Sequence, residues 1–365
     1  MAIAMKKTLS AAVAATLLLG AGVKAQTPAL TLAAQSNSMI WNGVAVAHGQ
    51  VFVSGPRWSG SRGPAVARLD SHGRLHPYPD AAWNSWRKGE DAGHTFVNVN
   101  SIHLDNKGSL WAVDTGSPQF GGRALPGGAK LVQIDVVTNK VTRIVPLGEN
   151  VVLPGSYVDD VRVHGDFTYS TDAGQPGIIV VNLKTGAMRR VLENIPATTS
   201  PNNRPIVVDG KAVMAPDGKP LRVHTDPMEL SPDGEWLYFG PLEGPWSRIE
   251  TRWLDDFSAS PETIASKVEP WTDVPPTGGT ALDVNGDFYF SDWATDSIKR
   301  RTPDGSVTTV VHDRRLHWVD AMTIDAQHRL WLPVPQLDRA AIFHNGESQI
   351  EWPVQLFWLQ LPVTR

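Results

Sequence analysis

The sequence contains no cysteine. Disulfides, thiolate metal sites and thiol nucleophiles are therefore excluded together, and the fold must be held by its core. Long basic tracts are missing as well: Lys and Arg gather no further than pairs such as Lys6-Lys7, Arg189-Arg190 and Arg314-Arg315 and the triplet Lys299-Arg300-Arg301, and the net charge is -4. Nothing here resembles a phosphate-tracking surface, so nucleic acid is not an expected partner. There is no HExxH pair and no G-x-S-x-G elbow, which leaves serine-hydrolase chemistry unsupported. The glycine-rich "GGRALPGGAK" (Gly121 to Lys130) lacks the strand-loop-helix setting of a phosphate cradle and reads as a loop.

Long apolar runs are scarce too. The run from Leu9 to Val23 follows Lys6 and Lys7 and leads to the small residue Ala25. It falls short of the ~20 residues that a membrane span needs. We read residues 1–25 as a secretory signal peptide cleaved after Ala25. The remainder, 26–365, is expected to be one soluble domain, secreted or periplasmic, with no membrane span. At 41% hydrophobic and 19% charged, it can bury a large core.

What is present is a repeat, and its period decides the fold. A template of a polar residue, alternating apolar residues, a Gly/Asp/Asn turn and an aromatic-bearing strand recurs six times. The copies include "NGVAVAHGQVFVSG" from Asn42, "NSIHLDNKGSLWAVDTG" from Asn100, "DDVRVHGDFTYSTDAG" from Asp159 and "DPMELSPDGEWLYFG" from Asp226; two more start at Gly278 and Asp320. Each copy reads as a hairpin carrying an aromatic: Phe52, Trp111, Tyr169, Tyr238, Tyr289 and Trp331. Further hairpins such as "AKLVQIDVVTNKVTRIVPL" lie between copies, making units of four strands. Six such units with almost no helical periodicity predict an all-β fold, a six-bladed β-propeller around a central channel. The insertion "ATTSPNNRPIVVDGKAVMAPDGKPLRVH" should hold a small hairpin of its own, and "PALTLAAQSNSMI" should supply an outer strand to the last blade.

Inner strands line the channel of a propeller, so the residues opening them converge at one mouth. Here these are Asn42, Asn100, Asp159, Asp226, Gly278 and Asp320, with Asp160 beside Asp159. Carboxylates crowded in low dielectric cannot all stay ionised without compensation. A hard divalent cation such as Ca²⁺ would accept these oxygens. Alternatively, one carboxyl keeps a proton and serves as a general acid or base. Or the side chains cap backbone N–H groups at the strand starts. His94, His224 and His317 precede inner strands, where His224 and His317 would contact a ligand; Trp41 and Trp318 would offer aromatic faces beside the polar cluster.

The stretches "LWAVDTG" (Leu110 to Gly116), "YVDDVRV", "YSTDAGQPGIIVVNLKTG", "DPMELSPDGEWLYFGPL", "FYFSDWATDSIKRRTPDG" and "RLHWVDAMTIDAQHRLWLPVPQLDR" together resemble the major royal jelly and yellow protein family in its bacterial branch, over about Asn98 to Arg339. That resemblance implies a secreted six-bladed propeller. The family spans food and cuticle proteins, binders of small biogenic amines in the channel, and members linked to dopachrome conversion. The repeats are also similar to gluconolactonase and regucalcin propellers. That likeness implies a channel metal on Asn100, Asp226 and Asp320, with Asp320 as catalytic base, although Asn42 stands where that ligand set has a glutamate. The leading expectation is a small polar or aromatic ligand held by Asn42, Asn100, Asp159, Asp226, Asp320, His224 and His317. A metal-dependent lactonase and a non-catalytic interaction propeller are the alternatives.

Overall fold

The structure, a computed structural model, describes residues 29–362. The signal-peptide segment lies outside the described residues. Six antiparallel sheets of four strands form six blades of a propeller, as the repeat predicts. The innermost strands are Gly43–Ala47, Val99–Leu104, Val158–His164, Thr225–Leu230, Thr280–Leu282 and Thr323–Ile324, and each touches the next around a closed ring. Within each of the first five blades the strands run outward in chain order.

The sixth blade is assembled from both ends of the described chain. Its outermost strand is Thr31–Ser36, paired antiparallel with Val354–Gln360 in a register that sets Thr31 opposite Trp358 and Ser36 opposite Val354. The segment before Trp41 thus covers an edge that would otherwise expose unpaired N–H and C=O groups. The expected extra hairpin is also present, with Val207–Val208 against Lys211–Ala212.

Blades are buried on both faces, so their middle strands carry continuous aliphatic runs rather than alternation. Ile178–Asn182, sequence IIVVN, is an example, with four fully buried residues in succession. The apolar core lies between successive blades. Phe52 and Val66 of the first meet Ile102 and Leu110 of the second, and Trp246 of the fourth meets Phe288 and Phe290 of the fifth. The aromatics of the second strands are pinned by turn acids. Asp105 accepts from Lys107 N, Ser109 N and Trp111 Nε1, and Asp325 repeats the pattern with Gln327, Arg329 and Trp331.

A second set of acids ends the second strands and orients the segments that approach the channel. Asp114 accepts from Val97 N and Asn98 N at 2.8 and 2.9 Å, and Asp172 accepts from Tyr157 N at 2.8 Å. Buried carboxylates need a counter-charge. Lys130 supplies it to Asp114 at 2.7 Å, Arg190 to Asp172 at 2.8 Å and Lys299 to Asp292 at 2.6 Å. In the fourth blade the equivalent acid is Glu243, which is wholly buried and receives a serine hydroxyl, Ser200 Oγ at 2.6 Å, instead of a cation.

Candidate functional site

Three of the inner strands are irregular at the same place. The pairing slips between Val99 and Ile102, between Val158 and Val161, and between Thr225 and Met228. A β-bulge puts two residues opposite one and re-aims their side chains. Asn100, Asp159 and Asp226 sit on these bulges, which turn them into the channel instead of between blades. With Asn42 and Asp320 they line one cavity of about 220 Å³. The convergence read from the repeat is therefore present.

A hydrogen-bonded chain links these residues across blades. Asn42 Nδ2 donates to Asn100 Oδ1 at 3.2 Å, and Asn100 Nδ2 donates to Asp159 Oδ1 at 2.6 Å. Asp159 and Asp226 then hydrogen-bond carboxyl to carboxyl. Such a bond requires a proton, and burial followed by the charge of Asp226 drives the pKa of Asp159 well above the usual carboxylate range. Burial raises Asp226 as well. Both shifts favour retention of a proton at this pair, the second of the three remedies available to a crowded acidic ring.

Asp320 behaves differently. Its Oδ1 accepts from Ala321 N at 2.8 Å and its Oδ2 from Trp318 Nε1 at 3.2 Å. Burial pushes it up to about 6 against these two donors. The residue keeps some surface because it opens onto the cavity, yet protein surrounds it on all sides. It both caps the chain and faces the lumen. Asp160 turns the other way, deeper into the channel, where Arg162 binds it at 2.7 Å and Glu229 at 3.2 Å. That guanidinium is neutralised there, so it does not compensate Asp159, Asp226 and Asp320.

Aromatic walls stand over this acidic base. Trp58 Nε1 donates to Tyr157 OH at 2.7 Å, and Tyr157 OH donates to Asn100 Oδ1 at 2.8 Å. Phe120 packs 4.7 Å from Trp58 and 5.5 Å from Tyr157, and Phe343 closes the group. On the far side the rings of Trp293 and Trp318 stack 3.8 Å apart at 12°. Gly278 leaves no opening in the ring. A Cβ there would meet Trp293 at 3.3 Å, so the missing side chain makes room for that indole.

The other sequence candidates divide. His224 lines the cavity; its Nδ1 accepts from Ser200 N at 3.1 Å, and burial plus Arg222 hold its pKa below the ordinary value. His317 is not on the cavity wall. Its Nε2 is 2.9 Å from Asp338 and it faces a separate groove with Arg314 and Gln336, which corrects its assignment as a ligand contact. His94 is exposed beside Asp91. Trp41 is fully buried and donates to Gln355 O, a core residue.

The donor set fits a divalent cation poorly. Asn100 Oδ1, the oxygen such an ion would need, already accepts from Asn42 and Tyr157. Asp159 is committed to Asn100 and Asp226. Among the described residues no three His, Cys, Asp or Glu side chains gather closely enough to hold a metal ion. The expected trio of Asn100, Asp226 and Asp320 is brought to one cavity, where the Asn100 oxygen already accepts two hydrogen bonds.

Tyr157, Trp58, Phe120, Phe343 and Trp293 escaped the sequence reading. One signal was available for Tyr157. It stands two residues before Asp159, as His224 stands before Asp226 and Trp318 before Asp320, and all three line the cavity.

Fold and site together define a six-bladed propeller with a polar, aromatic-walled cavity at one channel mouth. The profile of the family described as major royal jelly protein matches residues 97–350, and the chain belongs to that family. No curated protein matches the sequence. Among solved structures, a gluconolactonase from Xanthomonas campestris is similar at 14% identity and a TM-score of 0.52, over 93% of this chain and 96% of that one. A calcium-binding regucalcin from Agrobacterium tumefaciens follows at 14% identity and 0.51, over 90% and 93%. Virginiamycin B lyase from Staphylococcus aureus is similar at 13% identity and 0.50, over 92% and 100%. At such identities the likeness concerns the fold alone.

Proposed function

We propose that this protein binds a small ligand in the channel mouth, one that joins an aromatic ring to a cationic or strongly hydrogen-bonding group. The observation that carries this reading is the gathering of Asp159, Asp226 and Asp320, none of them in an ion pair among the described residues, in one cavity with the rings of Trp58, Tyr157, Phe120 and Trp318. Carboxylates without a counter-ion attract a cation, and aromatic faces favour both rings and cations. Asn42 Oδ1, buried with no donor, adds an acceptor to the same cavity. The cavity indoles provide the test. Titration with tyramine or tryptamine should change tryptophan fluorescence saturably, and Asp320→Asn should weaken binding at least severalfold. No saturable signal, or one indifferent to Asp320→Asn, would remove the proposal.

A proton-transfer reading, akin to dopachrome conversion, draws support from one further observation. Burial raises Asp159 well above the usual carboxylate range whereas Asp320 lies at about 6, so the same cavity offers a group suited to act as acid and one suited to act as base. Asp159 would protonate one atom of a bound enolising ligand as Asp320 removes a proton from another. Dopachrome loss no faster than in buffer would exclude it. A metal-dependent lactonase is less well supported, because the Asn100 oxygen is already occupied by two donors.

We also infer export, on the pattern of residues 1–25. Sequencing the mature N-terminus from a secreting host checks this, with Gln26 expected first.

A further inference from the structure

The cavity lining contains one permanent cation, Arg222. It belongs to the segment that leads the inserted loop into the inner strand Thr225–Leu230. Its guanidinium donates to Ser200 O and Asn202 Oδ1, both uncharged, and it forms no ion pair among the described residues. Arg222 is exposed, whereas Asp159 is buried and Asp226 and Asp320 are enclosed. Charge is therefore divided along the cavity, positive at the rim and negative at the base.

A purely acidic cavity would accept any cation that fits. This one also carries an exposed guanidinium in its lining, which opposes a simple amine and favours a molecule carrying its own carboxylate. We propose that the site selects zwitterions, namely aromatic α-amino acids or close relatives, over the corresponding amines. The ammonium group would face the acids below, and the carboxylate would meet the planar fork of Arg222, whose geometry suits two-point contact with carboxylate. The ring would lie against Trp58, Tyr157 and Trp318. Size agrees: a cavity of about 220 Å³ is below the range of about 300–1,000 Å³ typical for larger ligands, and suits one or two fused rings with short charged arms. This inference rests on the ring-and-cation reading of the cavity.

Calorimetric titration with two pairs, tyrosine against tyramine and tryptophan against tryptamine, tests it at pH 7.5. The wild type should bind each amino acid about fivefold or more tightly than its amine. Arg222→Gln should erase or reverse that ratio, and Arg222→Lys, which keeps the charge without the fork, should give an intermediate value. The ratio is measured within one preparation, so partial loss of folded protein does not alter it. Amines binding as tightly as amino acids in the wild type, or a ratio unmoved by Arg222→Gln, overturns the selectivity while leaving the parent reading intact. Failure of both classes to bind overturns both.

Discussion

The carboxyl groups of Asp159 and Asp226, from neighbouring blades, face one another in the channel mouth, and burial raises both above the usual carboxylate range. Their arrangement is imposed from outside the pair. Asn100 fixes Asp159 at 2.6 Å, and Tyr157 fixes Asn100 at 2.8 Å. With Asn42 the chain of hydrogen bonds crosses four blades, so the mouth is a continuous network rather than a set of separate caps.

Asp320 should set the pH dependence of cation binding. It loses its proton around about 6. Affinity for an aromatic amine should therefore rise with pH, by up to about tenfold per unit below 6, and level off above it. Asp320→Asn should flatten the profile. Fluorescence titrations between pH 4.5 and 8 would reveal either shape.

Glu243 should limit stability in alkali. Burial lifts its pKa to about 7 from an ordinary 4.5. Because the folded value is the higher one, its favourable contribution is complete below about 4.5 and is lost as pH rises through 7. Glu243→Gln keeps an acceptor for Ser200 and cannot ionise. It should match the wild type near pH 4 and exceed it by about 2–3 kcal/mol at pH 9, read from urea unfolding at both values.

Lys130 gives the opposite case. It is fully buried and bound to Asp114 at 2.7 Å, with further bonds to Ala92 O and Gly128 O. Lys130→Met would strand a buried carboxylate, a change that typically costs about 3–5 kcal/mol. Asp114 retains Val97, Asn98 and Gly116 as donors, which places the expected loss near the lower end, about 3 kcal/mol. Denaturant midpoints would report it, and a loss under about 1 kcal/mol would contradict the electrostatic account.

Removing the strand Thr31–Ser36 should expose the edge of Val354–Gln360. Open edges pair with other chains. A truncation beginning at Asn37 is expected to melt earlier and to associate in light scattering, whereas one beginning at Gln26 should remain monodisperse.

Much of this molecule could be read from its sequence because propeller repeats bury alternating and aromatic positions at regular intervals. The inner-strand starts Asn42, Asn100, Asp159, Asp226 and Asp320 followed from that period alone. Trp58, Phe120 and Phe343 did not, because they lie in short 3-10 turns and a connecting loop outside the strand repeat. The shared proton was one of three open remedies; choosing it needed the positions of Asn100 and Tyr157, which saturate the oxygen a cation would require. His317 stands three residues before Asp320, where His224 stands two before Asp226, and Asp338 draws it to another groove.

The sixth blade carries a consequence for the order of events in folding. Trp41 donates to the carbonyl of Gln355, 314 residues away, and the strand just before it lies along the same late segment. The ring cannot shut until the last blade has been synthesised. Contacts of such sequence separation form slowly. The cavity, whose wall includes Asp320 of that blade beside Asn42 of the first, must therefore be among the last features to appear. A chain halted before its final strand would hold five blades and no completed binding site.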